Sequence, residues 1–124
     1  MKMDRVLVLE DDLTTEALLT SILLRLNRYA DITWIKSADF VIDRLRGESY
    51  DLILADFFLD GKTTGLDVWR FCTELCPEVP FILMSGMSIT EYCAALGTSR
   101  TAPPFLAKPL RFRESSEFIK DVLI

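Results

Sequence analysis

Asp51-Leu52-Ile53-Leu54-Ala55-Asp56, running on into Phe57-Phe58-Leu59-Asp60-Gly61-Lys62-Thr63-Thr64-Gly65, is the stretch on which the fold of this 124-residue chain turns. Four consecutive apolar residues without polar alternation describe a strand covered on both faces, as in a parallel sheet. The strand ends in an aspartate and a loop of turn formers. A helix is expected next, over about Leu66 to Cys76, stopped by Pro77.

The same pattern recurs on either side. Upstream, Arg5 to Leu9 is a second unbroken apolar strand, ending in Glu10-Asp11-Asp12. The spacing of Leu18, Ile22 and Leu26, with Ala17 beside them, predicts a helix over about Thr14 to Arg28, capped by Asp12, Thr14 or Thr15. Leu19, Leu23 and Leu24 widen its apolar stripe, which suits packing under neighbouring helices or a self-association surface. A strand over Ile32 to Ile35 and a short helix over Ala38 to Arg46, closed by Gly47, lead to the central stretch. Downstream, Phe81 to Met84 is a strand ending in Ser85-Gly86, followed by a short helix around Ile89 to Leu96 that closes at Gly97. A loop over 98–104 leads into Phe105-Leu106-Ala107, ending in Lys108-Pro109, and a last helix over about Arg113 to Leu123 carries Phe118, Ile119, Val122 and Leu123. Strands alternating with helices predict an α/β, doubly wound parallel (βα)5 sheet, a single domain over 1–124 with no room for an output domain.

Composition narrows the chemistry. The chain has no histidine, which removes Ser-His-Asp and Cys-His nucleophiles, histidine metal sites and an internal phosphohistidine. Fourteen basic against nineteen acidic residues, a net charge of −5, argue against nucleic acid or an anionic membrane as the main partner. No apolar run is long enough to span a membrane or serve as a signal peptide, so the expected compartment is the cytoplasm. Cys72, Cys76 and Cys93 fit neither a disulfide framework nor a CxxC site and read as reduced thiols.

In such a fold all strands end on one edge, where ligands bind. The tips offer Glu10 and Asp11, Asp56, Ser85 and Lys108. Three carboxylates in one place repel unless a cation joins them, and a hard divalent ion such as Mg²⁺ suits carboxylate and carbonyl oxygens. Lys108 would supply fixed positive charge and Ser85 a hydroxyl donor, while one carboxylate attacks a phosphoryl group. Acidic residues also end strands simply because strand ends meet water, but this set of tips, in this order, is a combination that phosphoryl chemistry explains.

Val6 to Asp12, Leu52 to Asp56, Met84-Ser85-Gly86 and Leu106-Ala107-Lys108-Pro109 together resemble the receiver domains of two-component response regulators, over nearly the whole chain. The resemblance implies a flavodoxin-like sheet in the order 2-1-3-4-5. It implies that Asp56 accepts a phosphoryl group from the phosphohistidine of a sensor histidine kinase or a histidine phosphotransfer protein. Asp11, Asp56 and the Phe58 carbonyl would hold Mg²⁺, with Glu10 contacting it through water. Asp12 competes with Glu10 for the acidic pair, and that register stays open. Ser85 and Phe105 would be the switch residues acting on a downstream protein, and Lys108-Pro109 is a candidate cis bond. Such a module modifies only itself and is not otherwise an enzyme.

The sequence departs from the family after Asp56, where Asp60 replaces a proline and the matching glycine, Gly65, falls one residue late. Phe58 and Met87 take positions that, by resemblance, flank the path of the water that hydrolyses the phosphoaspartate. A receiver-like docking module that is never phosphorylated is the alternative, and a homodimer, a stand-alone chain and a fragment of a larger regulator are all open. A cap-less Mg²⁺-dependent phosphatase would favour Asp-x-Asp where the chain has Glu10-Asp11-Asp12, and a flavin binder would need a glycine among residues 10–16, which has none.

Overall fold

A computed structural model describes residues 2–59 and 61–124. Among these residues five strands form one sheet: β1 (Arg5–Leu9), β2 (Asp31–Ile35), β3 (Leu52–Asp56), β4 (Phe81–Ser85) and β5 (Phe105–Ala107). All pairs are parallel and the order is β2-β1-β3-β4-β5. The helices are α1 (Leu13–Leu26), α2 (Val41–Gly47), α3 (Gly65–Leu75), α4 (Ile89–Leu96) and α5 (Phe112–Leu123).

Side chains alternate across a strand, so each unbroken apolar run feeds two cores. Val6, Val8, Leu52, Leu54, Ile82, Met84 and Leu106 pack with Leu19, Ile22 and Leu23 of α1 and Ile119 of α5. Their neighbours Leu7, Leu9, Ile53, Ala55 and Leu83 pack instead with α2, α3 and α4 through Val41, Leu45, Val68, Trp69 and Tyr92. Full burial of each such aliphatic side chain stabilises by about 1.5–3 kcal/mol. Of the leucines that widen the α1 stripe, Leu19 and Leu23 are core and only Leu24 stays exposed.

Most boundaries fall within two residues of the sequence reading, and the differences have local causes. Asp12 caps α1, accepting from the Thr14 amide at 3.0 Å and the Thr15 hydroxyl at 3.0 Å. That helix stops at Leu26 because the Asn27 side chain turns back to the Met3 carbonyl at 2.9 Å. α2 starts at Val41 and not Ala38, since Ala38 to Phe40 form a turn in which Phe40 is left-handed, with φ 64°. Thr64 and Asp67 form a reciprocal capping box that starts α3 one residue early. The Lys108-Pro109 bond is cis. The three cysteines are free; burial pushes the Cys72 thiol up to about 12 and raises Cys76, so neither offers a thiolate to a metal at neutral pH. Among the described residues no helix is long and apolar enough to cross a membrane. Asp60, where the family's proline would stand, lies outside the described residues.

Gly65 brings α3 against the end of β3. Its amide donates to the Phe57 carbonyl at 2.9 Å, and a Cβ there would overlap the Asp56 carbonyl oxygen and lie 2.9 Å from Leu83 Cδ1. Glycine is required by close approach, not by backbone angle. Gly47, by contrast, has nothing within 4 Å of an added Cβ. Gly65→Ala should therefore cost at least about 2 kcal/mol in urea unfolding, as overpacking does, whereas Gly47→Ala should be neutral or stabilise by up to about 1 kcal/mol. Equal effects at the two glycines would contradict this account.

Candidate functional site

The strand alternation that builds the cores also builds the site. Continuing the Val6-Val8 and Leu52-Leu54 columns by one step brings Glu10 and Asp56 to the α1/α5 face of the sheet edge, and Leu106 leads likewise to Lys108. The register Leu9↔Ala55 makes Glu10 and Asp56 neighbours. Carboxylate oxygens of Glu10, Asp11 and Asp56 all come within 4.8 Å of one another. Two carboxylates at such range repel by about 3–4 kcal/mol at an effective dielectric of about 20.

Lys108 offsets part of that repulsion. Its Nζ donates to Asp56 Oδ2 at 2.7 Å and lies 2.8 Å from Glu10 Oε2. Glu10 is only 1% exposed; its Oε1 accepts the Asp11 and Asp12 amides at 3.1 Å each. Among the described residues, the buried Oε2 has the ammonium charge beside it but takes no well-directed hydrogen bond. Asp56, 7% exposed, accepts the Phe58 amide at Oδ1, 3.2 Å. Asp11 is exposed. One exposed and two buried carboxylates, balanced by a single ammonium, fit a hard divalent cation coordinated by oxygen.

Burial holds the Glu10 carboxyl above its ordinary value, against the lowering influence of Lys108 and the Asp12 amide. Burial acts on Lys108 in the opposite sense, but the carboxylates of Asp56 and Glu10 outweigh it and raise its pKa. Asp12, spent on capping α1, is held low by the Thr14 amide. The cluster therefore contains Glu10, while Asp12 caps the helix.

Ser85 is fully buried at the β4 tip, where its hydroxyl accepts the Met87 amide at 3.1 Å. Phe58, whose amide meets Asp56, is 60% exposed, and its ring lies edge-on to Phe57, centroids 5.0 Å apart. Phe105 is half-buried and stacks on Tyr92 of α4 at 4.5 Å and 28°. Tyr92 is the residue that sequence reasoning misses: a lone aromatic in a short helix gives no sign of which strand it will meet. An open cleft of about 390 Å³ borders Lys108, lined by Thr14, Leu18, Pro109 and Leu110 among others. A wider cleft of about 570 Å³ lies at the opposite edge of the sheet, around Leu45, Tyr50 and Pro80, far from these groups.

With the geometry in place, the comparisons with known proteins fall into line. The family model of the response regulator receiver domain matches residues 6–120, and the chain belongs to that family. No curated protein matches the chain. Among solved structures it is similar to a beryllofluoride-activated DrrB receiver domain, 20% identical, with TM-score 0.76 and 98% of each chain covered. It is also similar to a response regulator receiver protein from Sinorhizobium medicae WSM419, 21% identical, TM-score 0.74, covering 96% of this chain and 92% of that one. The third is the beryllofluoride-activated NtrC4 receiver domain dimer, 22% identical, TM-score 0.79, covering 98% and 97%. At these identities the likeness carries the fold, and the site rests on the residues above.

The Glu10 shift fixes a sign. Its folded value lies above the unfolded 4.5, so the stability it contributes is complete below pH 4.5 and is lost as pH rises through the folded value. In chelator, unfolding free energies should fall more steeply above pH 4.5 for wild type than for Glu10→Gln, which carries no titrating group there. Parallel pH profiles in urea titrations would show that Glu10 is not the buried member of the cluster.

Proposed function

We propose that this receiver domain is a working phosphoacceptor: Asp56 takes a phosphoryl group from a partner's phosphohistidine, and the chain modifies only itself. The observation that carries the reading is the Lys108 ammonium set between Asp56 and Glu10, with Asp11 alongside. Asp11, Asp56 and the Phe58 carbonyl would hold Mg²⁺, with Glu10 contacting it through water; bound there, the ion neutralises charge on the phosphoryl oxygens.

In the transfer, an Asp56 carboxylate oxygen attacks phosphorus in line. The P–N bond breaks as the P–O bond forms, and the electron pair returns to the imidazole, which leaves with its proton. Lys108 follows the charge from the carboxylate to a phosphoryl oxygen, and the Ser85 hydroxyl turns to donate to another. The partner is a sensor histidine kinase or histidine phosphotransfer protein, which must reach Asp56 past Phe58 and the cleft at Leu18, Pro109 and Leu110. The output is a downstream protein that reads a changed surface, with Ser85 and Phe105 as the switching pair. A cytoplasmic setting goes with such a donor. A homodimer, the form in which the NtrC4 receiver was solved, would use Leu24 of α1 and the flank of α5.

Thermal unfolding tests the reading. Mg²⁺ with beryllofluoride, a phosphoryl mimic, should raise the midpoint of wild type above that in Mg²⁺ alone, because a ligand of the folded site stabilises by mass action. Asp56→Asn should show no such rise, and a wild type equally indifferent would leave only a docking module that is never phosphorylated.

Phe58 and Met87 flank the approach to the phosphoaspartate, and their apolar side chains exclude attacking water. Phe58→Asn should shorten the lifetime of the phosphorylated protein several-fold, followed by loss of label after the donor is removed. An unchanged lifetime would take Phe58 out of the water path.

A further inference from the structure

The two edges of the sheet are guarded unequally. β5, at one edge, is three residues long and flanked by Pro104 and Pro109, neither of which has an amide to donate. β2, at the other, runs five residues as Asp31-Ile32-Thr33-Trp34-Ile35, half-buried beyond Asp31, with no proline and no lysine inside it. β-Branched and aromatic side chains follow Asp31 without a break, the composition that pairs most readily with another strand.

Two hydrogen bonds fix which backbone groups face outward. The Asp31 amide donates to the Asp4 carbonyl at 2.8 Å, and the Ile35 carbonyl accepts the Glu10 amide at 3.0 Å. Asp31 and Ile35 therefore turn their backbone groups toward β1, and so does Thr33, because a strand repeats every second residue. Ile32 and Trp34 turn theirs the other way, to the open edge, where among the described residues they meet no partner.

An edge of that form accepts another strand. We infer that β2 is a self-association surface, pairing antiparallel with β2 of a second copy of this chain about a two-fold axis at Thr33. Ile32 of each copy then stands opposite Trp34 of the other, so every outward amide and carbonyl of the strand is satisfied. A shift of register either way would call on the Ala30 amide, which is spent on the Asn27 carbonyl at 3.1 Å, or on Lys36 beyond the end of the strand. Charge selects the same direction. Asp31 opens the strand and Lys36 follows it, so antiparallel copies set unlike ends together where parallel copies would set like ends. Tyr29 of one copy comes beside the turn that holds Phe40 of the other, giving cover to two side chains that are 77% and 82% exposed in the single chain. The two-fold closes the assembly at a dimer. A pairing this short buries less than the roughly 1,200 Å² at which stable interfaces begin, so the association is weak and concentration-dependent. It is a different contact from one through Leu24 of α1, and it stands apart from the phosphoacceptor reading.

Sedimentation velocity over about a hundredfold range of concentration, with amide hydrogen exchange at both ends of the range, tests it. Wild type should pass from monomer to dimer. Exchange at the Ile32 and Trp34 amides should slow at least about tenfold at the dimeric end, while Thr33, whose amide already faces β1, should not change. Thr33→Lys and Thr33→Glu should each stay monomeric, because like charges meet across the axis, and an equimolar mixture of the two should associate again. Damage to the fold cannot produce that rescue. Leu24→Glu should associate as wild type does. A wild type that is monomeric throughout overturns the proposal, as does association that Thr33→Lys leaves intact or that Leu24→Glu abolishes. If neither Thr33 variant folds, wild-type exchange decides alone: Ile32 and Trp34 amides indifferent to concentration sink the pairing.

Discussion

The Lys108 ammonium between Asp56 and Glu10 is the interaction on which the rest of the structure depends. Three carboxylate groups within 4.8 Å are tolerable only if positive charge stands among them. Supplying it takes three strands that are far apart in sequence: β1 for Glu10, β3 for Asp56 and β5 for Lys108. The parallel order β2-β1-β3-β4-β5 is what brings those three tips to one edge. Because one ammonium cannot satisfy all three carboxylates, the site is built with a deficit of positive charge. That deficit is what suits the cluster to a divalent cation.

Buried and exposed members of the cluster divide the work. Glu10 and Asp56 are held rigidly, each by a backbone amide as well as by Lys108, so their oxygens are fixed before any ligand arrives. Asp11 keeps its carboxylate in solvent. Gly65 contributes by having no side chain: the start of α3 comes so close to the Asp56 carbonyl that any Cβ would push the strand tip out of place. The loop after Asp56 delivers Gly65 to that point.

The site was legible in the sequence because its logic is periodic. Unbroken apolar runs at Val6–Leu9 and Leu52–Ala55 require cover on both faces, and helices between strands require right-handed crossovers that align every strand end. Counting by two from Val8 reaches Glu10, and from Leu54 reaches Asp56. α4 and β5 were likewise readable, since Gly97 closes the helix and prolines flank the strand. α2 was not, because the turn that delays it turns on Phe40 adopting a left-handed backbone, a conformation no aromatic residue advertises.

By itself, then, the sequence determined the alternation of strand and helix, the two faces of the sheet, and the identity of the groups at its edge, because all of these follow from local period and chain direction. Tertiary structure alone decided that Glu10 joins the cluster while Asp12 caps α1, since both carboxylates lie within reach of the strand end and only the angle at which the helix departs separates them. It alone decided that Tyr92 meets Phe105, a contact between a helix and a strand joined by a loop whose path no periodicity encodes. Local patterns fix which way a side chain faces; the partner it finds there is set by how the elements dock.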